Sequence, residues 1–462
     1  MPGNPPAAET FLSDIWTSLG GDAGSLFAVT MTGEGALPSA FAVSDLAAAS
    51  VAAAGLAVAE LISARNGPLP SVHLDRRLAS FWFGTTLRPL GWSLPPPWDP
   101  IAGDYAGSDG WIRLHTNAPH HREAALKVLR TPADKDAVTA AVSTWRIDDL
   151  EAAIVENDGC AAAMRGLAEW AAHPHGKAVA AEPLAWIEES DTMPVKDWLP
   201  SRDWPLAGVR VLDLTRVLAG PVATRFLAGF GADVLRIDPP GWDEPGVIPS
   251  VTLGKRCARL DLRRPEQRRV FDDLLVSADV LVHGYRPAAL RGLGLDEAAR
   301  QRLRPGLVDV SLDAYGWSGP WRERRGFDSL VQMSSGIAAE GMRRFGASKP
   351  RPLPVQALDH ATGYIMAAAV VHGLARRLTR GAGSRTRTSL ARTAALLTSA
   401  SAPDQAGRFA DETDADFDAA TEATGWGPAR RMKPPVIVDG AAMRWDYPAK
   451  PLGSSEAAWT PR

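Results

Sequence analysis

Asp359 stands at the head of ATGYIMAAAVVHGL, a nearly all-apolar stretch, directly behind the extended-looking LPVQAL. Two roles are open to an aspartate at such a junction. It is a natural N-cap, its oxygens accepting from the free amides of the first helical turn. It is also a usable nucleophile: helix amides favour the ionised carboxylate, an apolar helix behind it excludes water, and a carboxylate can attack a thioester carbonyl. The two roles are compatible before the nucleophile reacts.

A second group is Thr215-Arg216-Val217-Leu218-Ala219-Gly220-Pro221, which follows the apolar run VRVLDL and leads into VATRFLAGFG. Small residues let a ligand approach the backbone here, and free amides at a helix start suit a pyrophosphate or a thioester oxygen. The same residues are equally what an ordinary strand-to-helix turn requires, with proline at the first helical position. There is no GxGxxG fingerprint, so a nicotinamide dinucleotide is not indicated. Arg236 lies in ADVLRID, Lys255 and Arg256 in LGKRCARLDL, and Arg286 just after DVLVHGY. Near strand ends these cations are placed to meet the phosphates of a nucleotide, although any one of them is as well explained as a solvated side chain.

Other chemistries find less support. His115, His120 and His121 form the one histidine cluster, with no carboxylate or cysteine at a convincing ligand spacing, so they read as an exposed helix start and no metal is expected. Cys160 and Cys257 are far apart, which indicates neither a disulfide framework nor a zinc site and fits a reducing cytoplasm. A serine nucleophile elbow and a P-loop are both missing. The net charge of −3, from 50 basic and 53 acidic residues, supplies no global field for nucleic acid. The opening MPGNPPAAETFLSDIW has neither a basic n-region nor an apolar core, and the alanine-rich run Leu46 to Leu61 is bounded by Asp45 and Glu60. The expectation is a cytoplasmic protein without a membrane partner.

These residues need elements to hold them. With 462 residues, 45% of them hydrophobic and 22% charged, the chain is expected to fold into two or three units. A weak internal repeat organises it: the stretch starting at Pro38 aligns without gaps to the one starting at Pro352, which pairs Asp45 with Asp359 at an offset of 359 − 45 = 314. Each copy reads as an extended entry ending in Asp, an alanine-rich helix, a glycine turn at Gly67 or Gly381, and a short alternating strand. No strand-helix alternation precedes Asp45, which is therefore expected to be a cap only. Between the copies, a strand at Trp111 to His115 and a helix from near Pro119 open a small α/β domain, with helices around Ile147 to Val155 and Ala161 to Ala172. The polar EESDTMPVKDWLPSRDWP reads as a linker. From Val209 strands alternate with helices, which implies right-handed βαβ units and a largely parallel, Rossmann-like doubly wound sheet. The expected division is an N-terminal helical segment with the partial repeat (1–90), the small domain (91–200), the Rossmann-like domain (201–400), and an acidic surface loop with the C-terminal tail (401–462).

Taken as a set, LAGVRVLDLTRVLAGPVATRFLAGFGADVLRIDPPG, LGKRCARLDLRRPE, ADVLVHGYRPAALRGLGL, RPGLVDVSLDAYGWSGPW, GFDSLVQMSSGIA and ALDHATGYIMAAAVVHGLARRLTRGAGSRTRTSL resemble the successive motifs of family III CoA-transferases, a family that includes formyl-CoA and carnitine CoA-transferases and α-methylacyl-CoA racemases. The resemblance covers about residues 205 to 395. Pieces of the family's small domain resemble GDYAGSDGWIRLH and MRGLAEWAAHP, which here precede the catalytic half, so the order looks permuted. The resemblance implies that Thr215, Arg216, Val217, Leu218, Ala219, Lys255, Arg256 and Arg286 fall in segments that contact CoA, and Arg236 joins them as a cofactor-binding candidate from its place near a strand end. It implies that Asp359 forms a mixed anhydride and then an aspartyl-CoA thioester, that acyl-CoA and carboxylic acid are substrates with no tightly bound cofactor, and that the protein is a homodimer. Phe327, in Gly326-Phe327-Asp328, stands where the racemases carry histidine, which argues against proton transfer at the α-carbon. No counterpart of the family's glycine-rich covering loop follows Asp359. A racemase and a non-catalytic CoA-binding subunit are the alternatives.

Overall fold

The structure, a computed structural model, describes residues 6–64, 67–192, 198–400 and 407–461. Its centre is a seven-stranded sheet in the order Lys255–Arg259, Asp233–Asp238, Arg210–Leu214, Val280–His283, Val308–Asp313, Ala382–Ser389, Trp186–Thr192. The first six strands are parallel and the last runs antiparallel. Side chains alternate across each strand and so feed two cores. Val211, Val234, Val280, Val282, Val308 and Val310 face one side, in one core with the helices Ala219–Gly229, Ala357–Arg380 and Val43–Ser63. Leu212, Leu214, Leu235, Ile237 and Leu281 face the other, against Phe271, Leu274 and Leu275 of the helix Pro265–Val276. Burial on both faces is why these strands read as unbroken apolar runs.

The repeat also appears in the fold. Val29–Thr32 pairs in parallel with Val72–Asp75 around the helix Val43–Ser63, as Val308–Asp313 pairs with Ala382–Ser389 around the helix Ala357–Arg380. Val438 lies antiparallel opposite Val72, as Ile187 lies opposite Thr386, and 72 + 314 = 386. Asp75 and Ser389 cap the next helix in the same way, from Leu78 N–H (2.9 Å) and Arg392 N–H (3.2 Å). The two long helices pack on each other. Val43–Ser63 has the length and apolarity of a membrane span, but 83% of its apolar window is buried inside the protein. The small unit has its own core, in which Tyr105, Ile112, Leu114, Leu129, Val142, Leu150 and Ile154 join an antiparallel three-stranded sheet to three helices.

Three local expectations are corrected. The Ala161 to Ala172 stretch is not one helix: Ala161–Ala163 is a strand and only Leu167–Ala172 is helical. The start of the expected linker is the edge strand Trp186–Thr192, with Glu188 facing Arg385 and Arg387 across the sheet, while 193–197 lie outside the described residues. The acidic stretch after Ser401, of which 401–406 lie outside the described residues, is not a loop throughout, because Phe417–Thr424 forms a hairpin with Gly427–Met432. Its acids are paired: Glu412 with Arg88, Asp416 with Arg77 and Glu422 with Arg431. Composition counts those charges as solvated, but in the fold they hold the C-terminal segment to residues around 77 and 88 and to its own hairpin.

Candidate active site

Asp359 is the third residue of its helix and does not cap it. Gln356 is the N-cap and makes no side-chain bond to the helix. The capping acid comes from elsewhere: one oxygen of Asp328 accepts from Leu358 N–H (2.8 Å) and Asp359 N–H (3.0 Å), and its other oxygen accepts from Gln332. Asp328 is the first residue of the helix Asp328–Ser334 and is buried. Its role frees the Asp359 carboxylate for other work, and nothing in the local sequence around Asp359 announces it.

Asp359 is 8% exposed and lies in the wall of a cavity of about 340 Å³. Burial and the neighbouring Asp328 hold its carboxyl well above the ordinary carboxylate range, while the backbone N–H of Ala219 acts in the opposite direction. Burial likewise raises Asp328, to about 6. Burial and the closeness of the two acids thus oppose full ionisation of this pair, against the pull of the helix amides on the Asp359 carboxylate. Ala219 reaches Asp359 because Gly363, one turn further along the Asp359 helix, has no side chain: a Cβ there would lie 2.4 Å from the Ala219 carbonyl oxygen. Ala219 opens the helix Ala219–Gly229, whose N-cap residue Leu218 supplies no side-chain bond. The turn before it is strained at Val217, a β-branched residue at φ 62° whose N–H donates to Glu244 at 2.8 Å.

Asp45 occupies the matching place in the first copy but faces an ion pair instead of a cavity. Arg76 Nη1 lies 2.9 Å from its carboxylate, and Arg76 stands where Leu390 lines the Asp359 cavity (76 + 314 = 390). Asp45 is no cap either, since its helix starts from Ala42 without a side-chain bond.

The structure divides the remaining expected site residues. Arg216, Val217, Ala219 and Arg286 line the Asp359 cavity. Arg216 donates to the Tyr285 hydroxyl at 2.7 Å and lies over the Trp242 ring, while Arg286 donates to the Glu323 carbonyl at 3.1 Å. Neither has a carboxylate partner among the described residues. Thr215 is turned inward, its hydroxyl bonded to Asp213, and with Leu218 it is outside the lining. Arg236, Lys255 and Arg256 are corrected as phosphate ligands. Arg236 is fully buried between Asp238 (2.9 Å) and Glu244 (3.2 Å). Lys255 is buried against Asp213 (3.0 Å) and the Pro221 carbonyl (2.9 Å). Lys255 and Arg256 open their strand, so they start from the N-terminal edge of the sheet, and Arg256 pairs there with Asp233, which opens the neighbouring strand. Ligands of open α/β sheets sit at the opposite edge.

The histidines are corrected as well. His115 and His121 are buried, with His115 stacked on Phe327 at 3.8 Å and His121 set edge-on to the same ring at 5.8 Å. Burial pushes both down to about 3, so both are neutral. No cluster of three or more metal-binding side chains occurs among the described residues. Asp328, Trp242, Arg324 and Arg325 were missed by sequence reasoning. Arg324 and Arg325 line the cavity but are tied to Glu151 and Asp158 of the small unit.

Residues 206–424 match CoA-transferase family III. This stretch is similar to that family. Acetyl-coenzyme A transferase nodX of Hypoxylon pulicicidum is 34% identical, over 45% of this chain and 35% of its own. The succinyl-CoA:glutarate CoA-transferase of Mus musculus is 34% identical, over 39% of this chain and 44% of its own. The chain thus spans between about a third and a half of the length of these curated relatives. The crystal structure of Rv3272 from Mycobacterium tuberculosis superimposes with a TM-score of 0.38 at 28% identity, over 43% of this chain and 58% of that one. The family match begins at residue 206, so the cavity wall supplied by residues 96–121 lies outside it.

Proposed function

We propose that this chain transfers CoA between carboxylic acids, with Asp359 as the nucleophile. The observation that carries the reading is the placement of the Asp359 cavity. It opens at the carboxyl ends of Arg210–Leu214 and Val280–His283, between which the strand order reverses, and it holds Arg216 and Arg286 without carboxylate partners. This strand order is the Rossmann-like one, whose ligand crevice lies at that reversal. The family match over the same residues and the CoA chemistry named for the relatives agree with it.

In the proposed reaction an Asp359 oxygen attacks the thioester carbonyl, the C–S bond breaks, and the CoA thiolate leaves behind a mixed anhydride. The thiolate then attacks the Asp359 carbonyl carbon, releasing the donor acid as carboxylate and leaving an aspartyl-CoA thioester. The acceptor carboxylate reverses both steps and departs as the new thioester, restoring Asp359. The Ala219 amide and the helix start behind it favour negative charge on the attacking and leaving carboxylate. The attacking form is the carboxylate, and burial with the neighbouring Asp328 raises the ionisation of Asp359, so transfer should accelerate as pH rises through the ionisation of the pair. Incubation with a panel of CoA thioesters and free acids, with newly formed thioesters followed by mass spectrometry, tests the proposal. No exchange by the wild type across a broad panel would count against it.

The cations give a separate expectation. Arg216→Ala and Arg286→Ala should each weaken CoA binding about tenfold by calorimetry, with the loss shrinking as salt is raised. Arg256→Ala should leave affinity unchanged, because its guanidinium sits with Asp233 at the far edge of the sheet. Equal losses in all three variants would contradict this assignment.

A further inference from the structure

A second cavity, of about 220 Å³, adjoins the Asp359 cleft, and Val217, Trp242 and Phe327 line both. Its walls are aromatic and aliphatic. Trp98 meets His115 edge-on at 5.9 Å, His115 lies flat on Phe327, and Pro96, Pro97 and Val247 close the rest. Among the described residues, no lysine or arginine lines it. Arg113, whose guanidinium lies over the Trp98 ring, is paired with Asp104 at 2.7 Å. The charged groups that do line it are three carboxylates, Asp99, Asp243 and Glu244. Asp99 is engaged by Arg122 and Thr116, and Glu244 by Arg236, Trp242 and the Val217 amide.

From this contrast we infer that the second cavity receives the acyl body of the thioester, and that the acids exchanged are monocarboxylic with an apolar or aromatic body. The inference rests on the CoA-transfer reading and deepens it. The reacting carbonyl must sit at Asp359, so the two halves of the substrate leave that point in different directions. Phosphates go to the side with Arg216 and Arg286. On the other side Asp99 and Glu244 already occupy Arg122 and Arg236, and Asp243 adds a negative charge, so neither a phosphate nor a second carboxylate on the acyl group would find a cationic partner in the lining. It suits an apolar body instead: a lined cavity of about 150 Å³ already admits a benzene ring. Trp98, Phe327 and the neutral His115 supply flat faces for stacking.

The test is a binding series with CoA thioethers, which lack a carbonyl and so cannot react with Asp359. CoA itself, S-benzyl-CoA, S-hexyl-CoA and S-(3-carboxypropyl)-CoA are titrated into the full chain by calorimetry. The benzyl and hexyl thioethers should bind at least about tenfold more tightly than CoA, since each buries a substantial apolar area. The carboxypropyl thioether should bind no more tightly than CoA. Trp98→Ala, at a residue that is 36% exposed, should remove most of the gain and leave CoA affinity unchanged, with a thermal melt checking that the fold is kept. A carboxypropyl thioether that binds as tightly as the benzyl one, or no gain from any substituent while CoA binds, overturns the inference and leaves the CoA-transfer reading standing. No binding of CoA itself overturns both.

Discussion

Asp359→Asn should lower CoA transfer at least about a thousandfold, because the amide cannot form the anhydride and the other carboxylate lining the cavity, Asp313, is held by the Tyr315 and Gly316 amides. Asp328 is occupied with the helix start and Gln332, and Asp45 with Arg76. The fold should survive, since Asp359 caps nothing and Asn keeps an oxygen for the Ala219 amide. Stability should respond to pH with a definite sign. Burial and Asp328 raise the folded-state ionisation of Asp359 above its unfolded value. A group raised in this way costs nothing below its unfolded pKa, roughly 4, and destabilises the fold increasingly as pH climbs through the folded value. The Asn variant should therefore melt higher than wild type at alkaline pH, with the difference vanishing toward acid. An Asn variant that transfers CoA normally would remove Asp359 from the mechanism. One that melts lower than wild type at every pH would assign it a structural role.

The second large effect concerns Lys255. It sits in the core with Asp213, whose oxygens also accept from the Thr215 and Thr224 hydroxyls. Burial pulls the Lys255 ammonium below its ordinary range, whereas Lys255 together with Arg236 holds Asp213 below the ordinary carboxylate range. Lys255→Met leaves Asp213 as a buried acid without its closest counter-charge, a loss of about 3 to 5 kcal/mol. Urea unfolding should show that loss as an earlier midpoint, with CoA affinity of the still-folded protein little changed. A normal midpoint with abolished CoA binding would instead return Lys255 to the phosphates.

Asp359 and Lys255 mark what the sequence makes legible. The strands Arg210–Leu214, Asp233–Asp238, Val280–His283 and Val308–Asp313 lie where their apolar runs place them, because burial on both faces leaves an unbroken local signal. Asp359 is legible as a reactive candidate because an acid at the head of an apolar helix is conspicuous. What surrounds it is not. Asp328 acts on the Asp359 helix from 31 residues away, and its contact forms only when two helices meet. Lys255 and Arg236 look like surface cations until the sheet buries them with Asp213, Asp238 and Glu244. The histidines read as solvent-facing because nothing near them in sequence announces Phe327, whose ring is more than 200 residues away in the chain. In each case charge or polarity is a local property, while burial is decided by distant partners.

The central claim, covalent catalysis by Asp359, is tested most directly by trapping. Wild-type protein is incubated with a CoA thioester donor that it turns over, without acceptor, then digested and read by mass spectrometry. CoA should appear on the peptide containing ALDHATGY, and hydroxylamine should discharge it, leaving a hydroxamate at Asp359. The Asn variant should carry no adduct. Adduct on Asp328 or Asp45 instead, or undiminished exchange by a variant that forms none, would contradict the account.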